Sequence, residues 1–323
     1  MANGSLVEQL DQAVEAILAN PEAPLPQVSA RIAAELRIAA ELRDLPRADF
    51  KARLNADLKR RTAAMTAKAP VQFREGFHTI TPYLIVNEAV GLIDFVKQAF
   101  GAQELFRTTG TAGGIHAEVK IGDSIVMLGG GGAWRGTPTP TAIHLYVEDA
   151  DAVYERALQA GGVSLAEPVD QPYGDREASV KDLSGNHWYI ATHKGAGHVP
   201  EGLRTITPFL HPRGAPQLID FLKNAFGAEE QSRAESPDGV IQHATVKIGD
   251  SMVEMGEAHG PWQPMPTTFY LYVDDVDEWY RRAMEAGATS KGEPADQPYG
   301  DRVGGVADPF ENIWYMGTPI KGE

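Results

Sequence analysis

The chain repeats itself at a spacing of 126 residues. Thr79-Ile80-Thr81-Pro82 returns as Thr205-Ile206-Thr207-Pro208, and Leu92-Ile93-Asp94-Phe95 as Leu218-Ile219-Asp220-Phe221. Ala99-Phe100-Gly101-Ala102 returns as Ala225-Phe226-Gly227-Ala228, and the six residues Gln171 to Arg176 return verbatim from Gln297 to Arg302. Lys120-Ile121-Gly122-Asp123-Ser124 returns 127 residues later at Lys247 to Ser251, so one loop residue is gained and then lost again. A fixed period of this size means two copies of one structural unit. Residues 75–195 are the first copy and residues 201–320 the second. A short glycine-rich stretch, Lys194 to Pro200, joins them.

Residues 1–70 lie outside the repeat and read as a small all-α segment. Ser5 and Glu8 make a capping box ahead of Val7, Leu10, Val14, Ile17 and Leu18 at helical spacing. Pro21, Pro24 and Pro26 break that helix, and Val28, Ile32 and Leu36 start a second. A third carries Phe50, Leu54 and Leu58 and ends on Lys59, Arg60 and Arg61. Two readings stand for that basic end: favourable charge at a helix C-terminus, or a docking surface for a partner.

Inside each copy the order reads strand, helix, three strands, twice over. In the first copy Ile80–Val86 is an apolar strand and Leu92–Phe100 a helix stopped at Gly101. Ile115–Ile121 and Ser124–Gly129 make a hairpin across Gly122-Asp123. Ile143–Val147 is a strand, Asp151–Ala160 a helix, and Val163–Ala166, Ala178–Leu183 and His187–Thr192 complete the set. Each half-copy is a βαβββ unit with one apolar face and open edges, so units must pair. Pairing the two units of a copy gives a curved sheet with helices outside and a cleft inside.

Composition removes several function classes. Lys and Arg number 29 against 44 Asp and Glu, a formal charge of −15, which argues against a nucleic-acid binder. No apolar run reaches the roughly 18 residues of a membrane span. The N-terminus lacks the features of a signal peptide, so a cytoplasmic protein is expected. There is no cysteine, which excludes disulfides, Cys-ligated zinc, iron–sulfur clusters and a thiolate nucleophile.

Several phrases, met in order and twice, resemble the vicinal oxygen chelate superfamily of glyoxalase I, extradiol dioxygenases and fosfomycin- and bleomycin-resistance proteins. They are Thr81-Pro82-Tyr83-Leu84, Ala99–Ala102, His116-Ala117-Glu118, Leu145–Asp149, Tyr173–Arg176 and Gly185–Trp188. The second copy matches through Ala225–Ala228, Leu271–Asp275, Tyr299–Arg302 and Asp308-Pro309. The phrases look like the PhnB-like, glyoxalase/bleomycin-resistance branch. The resemblance implies an α+β fold of two tandem domains, each of paired βαβββ units.

Metal-dependent members of that superfamily place His, Glu or Gln on the cleft face of four strands, where a divalent ion chelates two substrate oxygens. Alternation along the strands puts those positions at Thr81 or Thr207, Met127 or Glu254, Ala142 or Thr268, and Tyr189 or Tyr315. Only Glu254 is a good ligand, so no metal and no cofactor is expected. His211, His243 and Glu254 are the trio that a rearranged site would use. For His116 and His243, at equivalent positions, two readings stand: buried structural histidines, or residues that line the cleft.

The same alternation aims Tyr83, His144, Tyr146 and Tyr189 at a first cleft, and Phe209, His211, Tyr270, Tyr272 and Tyr315 at a second. Two readings stand: the rings stack on a flat organic molecule, or they fill the clefts as core. Asp175–Arg176 and Asp301–Arg302 read as local ion pairs, with an anion clamp as the alternative. Gly129–Gly132 lacks the ending of a phosphate loop and reads as a flexible connection. The second copy has Glu257 to Trp262 there, so the two cleft mouths differ.

The expected function is metal-free binding of a small aromatic organic ligand, as in resistance by sequestration. One alternative is a glyoxalase-like lyase, isomerase or dioxygenase using a rearranged metal site or acid–base residues. The other is a ligand-sensing interaction protein acting through residues 1–70. A monomer with a pseudo-two-fold domain pair, or a loose homodimer, is expected.

Overall fold

A computed structural model describes residues 74, 76–110, 113–132, 138–260 and 262–320. The helical reading of residues 1–70 falls outside them. The described elements run β1 (Ile80–Val86), α1 (Ala89–Phe100), β2 (Gln103–Thr109), β3 (Ile115–Ile121), β4 (Ser124–Gly130), β5 (Ala142–Tyr146), α2 (Ala150–Gln159), β6 (Val163–Asp170), β7 (Asp175–Lys181) and β8 (His187–His193). The second copy repeats the order as β9 (Ile206–Leu210), α3 (Ala215–Phe226), β10 (Glu229–Glu235), β11 (Ile241–Ile248), β12 (Ser251–Met255), β13 (Thr268–Tyr272), α4 (Val276–Glu285), β14 (Thr289–Asp296), β15 (Asp301–Ala307) and β16 (Ile313–Pro319).

Local chemistry sets the same boundaries in both copies. The helix α1 buries Leu92, Ile93, Val96 and Ala99, a stripe at helical spacing, and stops where Gly101 turns left-handed at φ 68°. Helices α2 and α4 start on Asp149 and Asp275, whose carboxylates accept from the amides of Ala152 and Glu278. Asp182 holds the turn before β8 through the amides of Ser184 and Asn186 and the indole N–H of Trp188. Asp308 does the same with Phe310, Asn312 and Trp314 before β16. Both tryptophans are fully buried.

Each copy closes its own apolar core around its two helices. One core joins Leu84, Leu92, Phe95, Ile143, Leu145 and Trp188, and the other Leu218, Leu222, Val246, Phe269, Leu271 and Trp314. The sheets, however, are shared. Their strand orders are β14-β15-β16-β13-β1-β4-β3-β2 and β10-β11-β12-β9-β5-β8-β7-β6. The joins are antiparallel, β1 with β13 and β5 with β9. The expectation that each copy pairs its own two units into a cleft is therefore corrected. The repeat makes β5–β8 and β13–β16 similar, so β1 meets a similar edge on either one, and alternation reveals the apolar face of a unit and not its partner.

The crosswise choice is made at the pseudo-two-fold axis. The turn residue Asp123 and the following Ser124 accept from the amides of Thr205 and Ile206. Asp250 and Ser251 accept from Thr79 and Ile80 in the mirror contact. The hydroxyls of Thr141 and Thr267, equivalent residues of the two copies, bond to one another. Gly122 and Gly249 are required here, because a Cβ on either would meet a threonine, Thr205 or Thr79.

One expected consequence concerns the copies taken singly. Residues 201–320 alone have a core and keep β9 paired with β12 and β13 with β16, but leave the other edge of β9 and of β13 open, an invitation to association. Light scattering after size-exclusion chromatography should show a folded dimer, and a folded monomer at micromolar concentration would contradict the crosswise pairing.

Candidate functional site

Crosswise sheets redistribute the expected cleft residues. His144 and Tyr146 (β5) and Tyr189 (β8) from the first copy meet Phe209 (β9), His211, His243 (β11) and Glu254 (β12) from the second around one cavity of about 830 Å³. Tyr83, Tyr270 and Tyr272 cluster in the other cleft with Phe77, Ile125 and Met127. Tyr315 adjoins that group beside Tyr83. The earlier grouping, Tyr83 with His144 and Phe209 with Tyr270, is thus corrected by the strand order.

The cavity has an aromatic wall. Tyr189 meets Phe209 edge-on at 5.4 Å and Trp262 at 5.8 Å. His211 lies parallel to Trp262, 6° apart in plane. The Tyr189 hydroxyl and His211 Nε2 are 2.8 Å apart. Burial, then the neighbouring His187 and His259, push the His211 imidazole down to about 4, so it is neutral at pH 7. A neutral imidazole with Nε2 accepting from Tyr189 carries its proton on Nδ1, and that buried atom has no partner.

Opposite the rings lies a charged pair. His144 Nδ1 is 3.0 Å from Glu254 Oε2, and His243 Nε2 is 3.1 Å from Glu254 Oε1. His144 Nε2 is 3.5 Å from Glu177 Oε2. Burial alone would lower the His144 pKa, but the Glu254 charge and the contacts with Glu177 and Glu254 outweigh it and raise it. Burial alone would raise that of Glu254, and the His144 charge with the bonds from both histidines lowers it instead. His144 is an imidazolium between two carboxylates. His243, read as a buried structural histidine or a cleft-lining residue, has its side chain 41% exposed at the cavity wall.

Other expectations resolve as follows. Arg176 pairs with Asp151 and Asp170, and Arg302 with Asp277 and Asp296. These arginines tie β7 and β15 to helices α2 and α4 rather than forming pairs with their neighbours Asp175 and Asp301. Asp175 instead meets His193 Nδ1 at 2.6 Å. Glu177, Tyr173 and Trp262 line the cavity and were missed. A position-by-position comparison of the copies signals the first, because Glu177 stands where the second copy has Val303.

The second cleft holds part of the chain itself. Phe77, 4% exposed, packs edge-on against Tyr272 at 5.4 Å. The Arg74 guanidinium lies 4.1 Å from the centre of the Phe77 ring and bonds Glu118 at 2.6 Å and the Tyr272 hydroxyl at 3.3 Å. The tyrosines lie down on glycines: a Cβ on Gly129 would strike Tyr83, and one on Gly317 would strike Tyr270. In the cavity cleft, Pro200 and Leu203 stand at the positions of Arg74 and Phe77.

The four strand positions that hold the metal in metal-dependent members supply one good ligand here, Glu254. The four strand positions are Ala142, Tyr189, Thr207 and Glu254 around the cavity, and Thr81, Met127, Thr268 and Tyr315 around the other cleft. Both oxygens of Glu254 are engaged by imidazoles, and His211 is engaged with Tyr189. The trio His211, His243 and Glu254 is not assembled. Among the described residues no group of three or more His, Asp or Glu is arranged to hold a metal ion.

Fold and sites together define a class. The description of the Glyoxalase/Bleomycin resistance protein/Dioxygenase superfamily matches residues 76–190 and 213–316, and the chain belongs to that family. Glyoxalase I from Zea mays shares the fold at a TM-score of 0.59, covering 74% of this chain and 92% of that one with 15% identity. Uncharacterized protein Rv0887c of Mycobacterium tuberculosis is 41% identical over 127 residues, 36% of this chain and 75% of its own length. "Putative glyoxylase CFP32" of the same species is 28% identical over 194 residues, 58% of this chain and 73% of its own.

The buried pair carries a pH signature. A raised His144 pKa contributes stability that is full below the ordinary histidine value near 6.5 and is lost as pH rises through the folded value. Glu254→Gln removes the main source of that rise. Denaturant unfolding should show a loss of about 3 kcal/mol near pH 6 that shrinks toward pH 9; a pH-independent loss would refute the charged pair.

Proposed function

We propose that this protein binds a small, flat organic molecule in the cavity between β5, β8, β9 and β12, without a metal, and that it belongs to the PhnB-like branch of its family. One observation carries the reading: a cavity of about 830 Å³ with Tyr189, Phe209, His211 and Trp262 on one wall. This is the size and lining of a small-molecule site, apolar with a few convergent polar groups. The ligand-binding assignment therefore rests on His144, Tyr146, Tyr189, Phe209 and His211. Tyr83, Tyr270, Tyr272 and Tyr315 belong to the cleft that Phe77 and Arg74 enter. Both sheets are completed within one chain, which supports action as a monomer or loose homodimer.

A second reading, a lyase or isomerase using acid–base groups, is favoured by the neutral His211 beside the Tyr189 hydroxyl. A base of this kind exchanges a ligand C–H with solvent. Deuterium incorporation in D2O that is lost in His211→Asn would support it.

No described helix is long and apolar enough to cross a membrane. The binding reading is tested by a thermal-shift screen of aromatic compounds. A ligand at 100 times its Kd adds about 2.7 kcal/mol, a shift of a few degrees. Trp262→Ala should abolish the shift, whereas a shift retained in Trp262→Ala and lost in Tyr272→Ala would place binding in the wrong cleft.

A further inference from the structure

We propose that the cavity selects an aromatic cation: a flat ring bearing an amine, amidine or guanidine group. The inference rests on the binding reading above and adds the charge of the ligand. Five carboxylates line the cavity, Asp175, Glu177, Glu201, Glu254 and Glu257, and among its described lining residues none is Lys or Arg. Three of the five are already engaged. Asp175 faces His193, Glu254 faces His144 and His243, and Glu257 accepts from the amides of Gly214 and Ala215 at the start of α3. Glu177 has only the Tyr173 hydroxyl at 3.1 Å and a share of His144 at 3.5 Å. Glu177, inside the cavity, and the exposed Glu201 are the carboxylates with room for a further donor.

Three further observations bear on the ligand, the last two on its charge. His211 is 7% exposed, yet its Nδ1, an N–H donor, has no hydrogen-bond partner, which calls for an accepting atom on the ligand beside its ring. Tyr189, Phe209 and Trp262 gather three aromatic rings at the cavity, and an aromatic face attracts a cation. The sister cleft shows such an occupant in place: the Arg74 guanidinium stacked on the Phe77 ring, packed on Tyr272 and bonded to Glu118. Tyr146 stands at the position of Tyr272 in the open cavity. The negative charge has moved within the shared frame. Glu118 on β3 is matched by Thr245, while Met127 and Val303 are matched by Glu254 and Glu177. One cleft supplies its own ring and cation; the other keeps the rings and carboxylates and has Pro200 and Leu203 in place of Arg74 and Phe77.

The test uses three probes of one shape: 1-naphthylmethylammonium, 1-naphthylmethanol and 1-naphthoate, titrated calorimetrically into the full-length protein. The ammonium should bind about tenfold tighter than the alcohol, the effect of one desolvated cation–π or charge-assisted contact, with naphthoate weakest. Glu177→Gln should narrow the ammonium preference to about threefold or less, and the surface change Glu285→Gln should leave it intact. Added NaCl acts on the wild-type protein, so it reads the same charge term should Glu177→Gln fail to fold; it should weaken the ammonium and spare the alcohol. Equal binding of ammonium and alcohol, or tightest binding of naphthoate, overturns the charge selection and leaves the binding reading standing. Binding of none of the three at millimolar concentration overturns the binding reading itself.

Discussion

Everything in this molecule depends on the two antiparallel joins that couple unlike halves of the repeat, β1 to β13 and β5 to β9. They leave each copy its own helix-lined core and make both clefts joint property. Two of the repeated phrases meet each other beside the joins. Gly122-Asp123-Ser124 grips Thr205-Ile206, and Gly249-Asp250-Ser251 grips Thr79-Ile80. A contact made reciprocally across a pseudo-two-fold axis needs the same residues on both sides, which accounts for the near-verbatim repetition there.

Within that symmetric frame the clefts have diverged. In one, the tyrosines settle onto glycine and Phe77 with Arg74 fills what remains. In the other, His144, Glu254 and Glu177 replace Tyr270, Met127 and Val303, and Trp262 closes the aromatic wall. A buried imidazolium between carboxylates is costly unless its partners are fixed. Here the partners come from both copies: His144 and Glu177 from the first, Glu254 and His243 from the second. The site and the crosswise pairing therefore support each other.

The sequence made most of the frame legible. Strand β1 and the hairpin of β3 and β4 follow from alternation and the Gly-Asp turn, and α1 from its apolar stripe and Gly101. Strand β2 was not located, because it is an exposed edge strand without apolar alternation. Which units pair is illegible for the reason that makes the repeat obvious: the same edge is offered by a unit of the same copy and by its counterpart in the other. In one cleft the tyrosines pack with Phe77, Ile125 and Met127, and in the other they line a cavity, which is where the proposed ligand platform lies. The sorting depended on Arg74 and Phe77, just outside the first strand. Glu177 carries no motif of its own and follows Arg176, which ties β7 to α2 and β6 through Asp151 and Asp170.

The most direct measurement is the binding stoichiometry of 1-naphthylmethylammonium, taken by calorimetry on the full-length wild-type protein. One molecule per chain is the expected result, since one cleft is open and the other holds Phe77 and Arg74. Two molecules per chain would mean that the clefts are equivalent and that the division of labour between them is wrong.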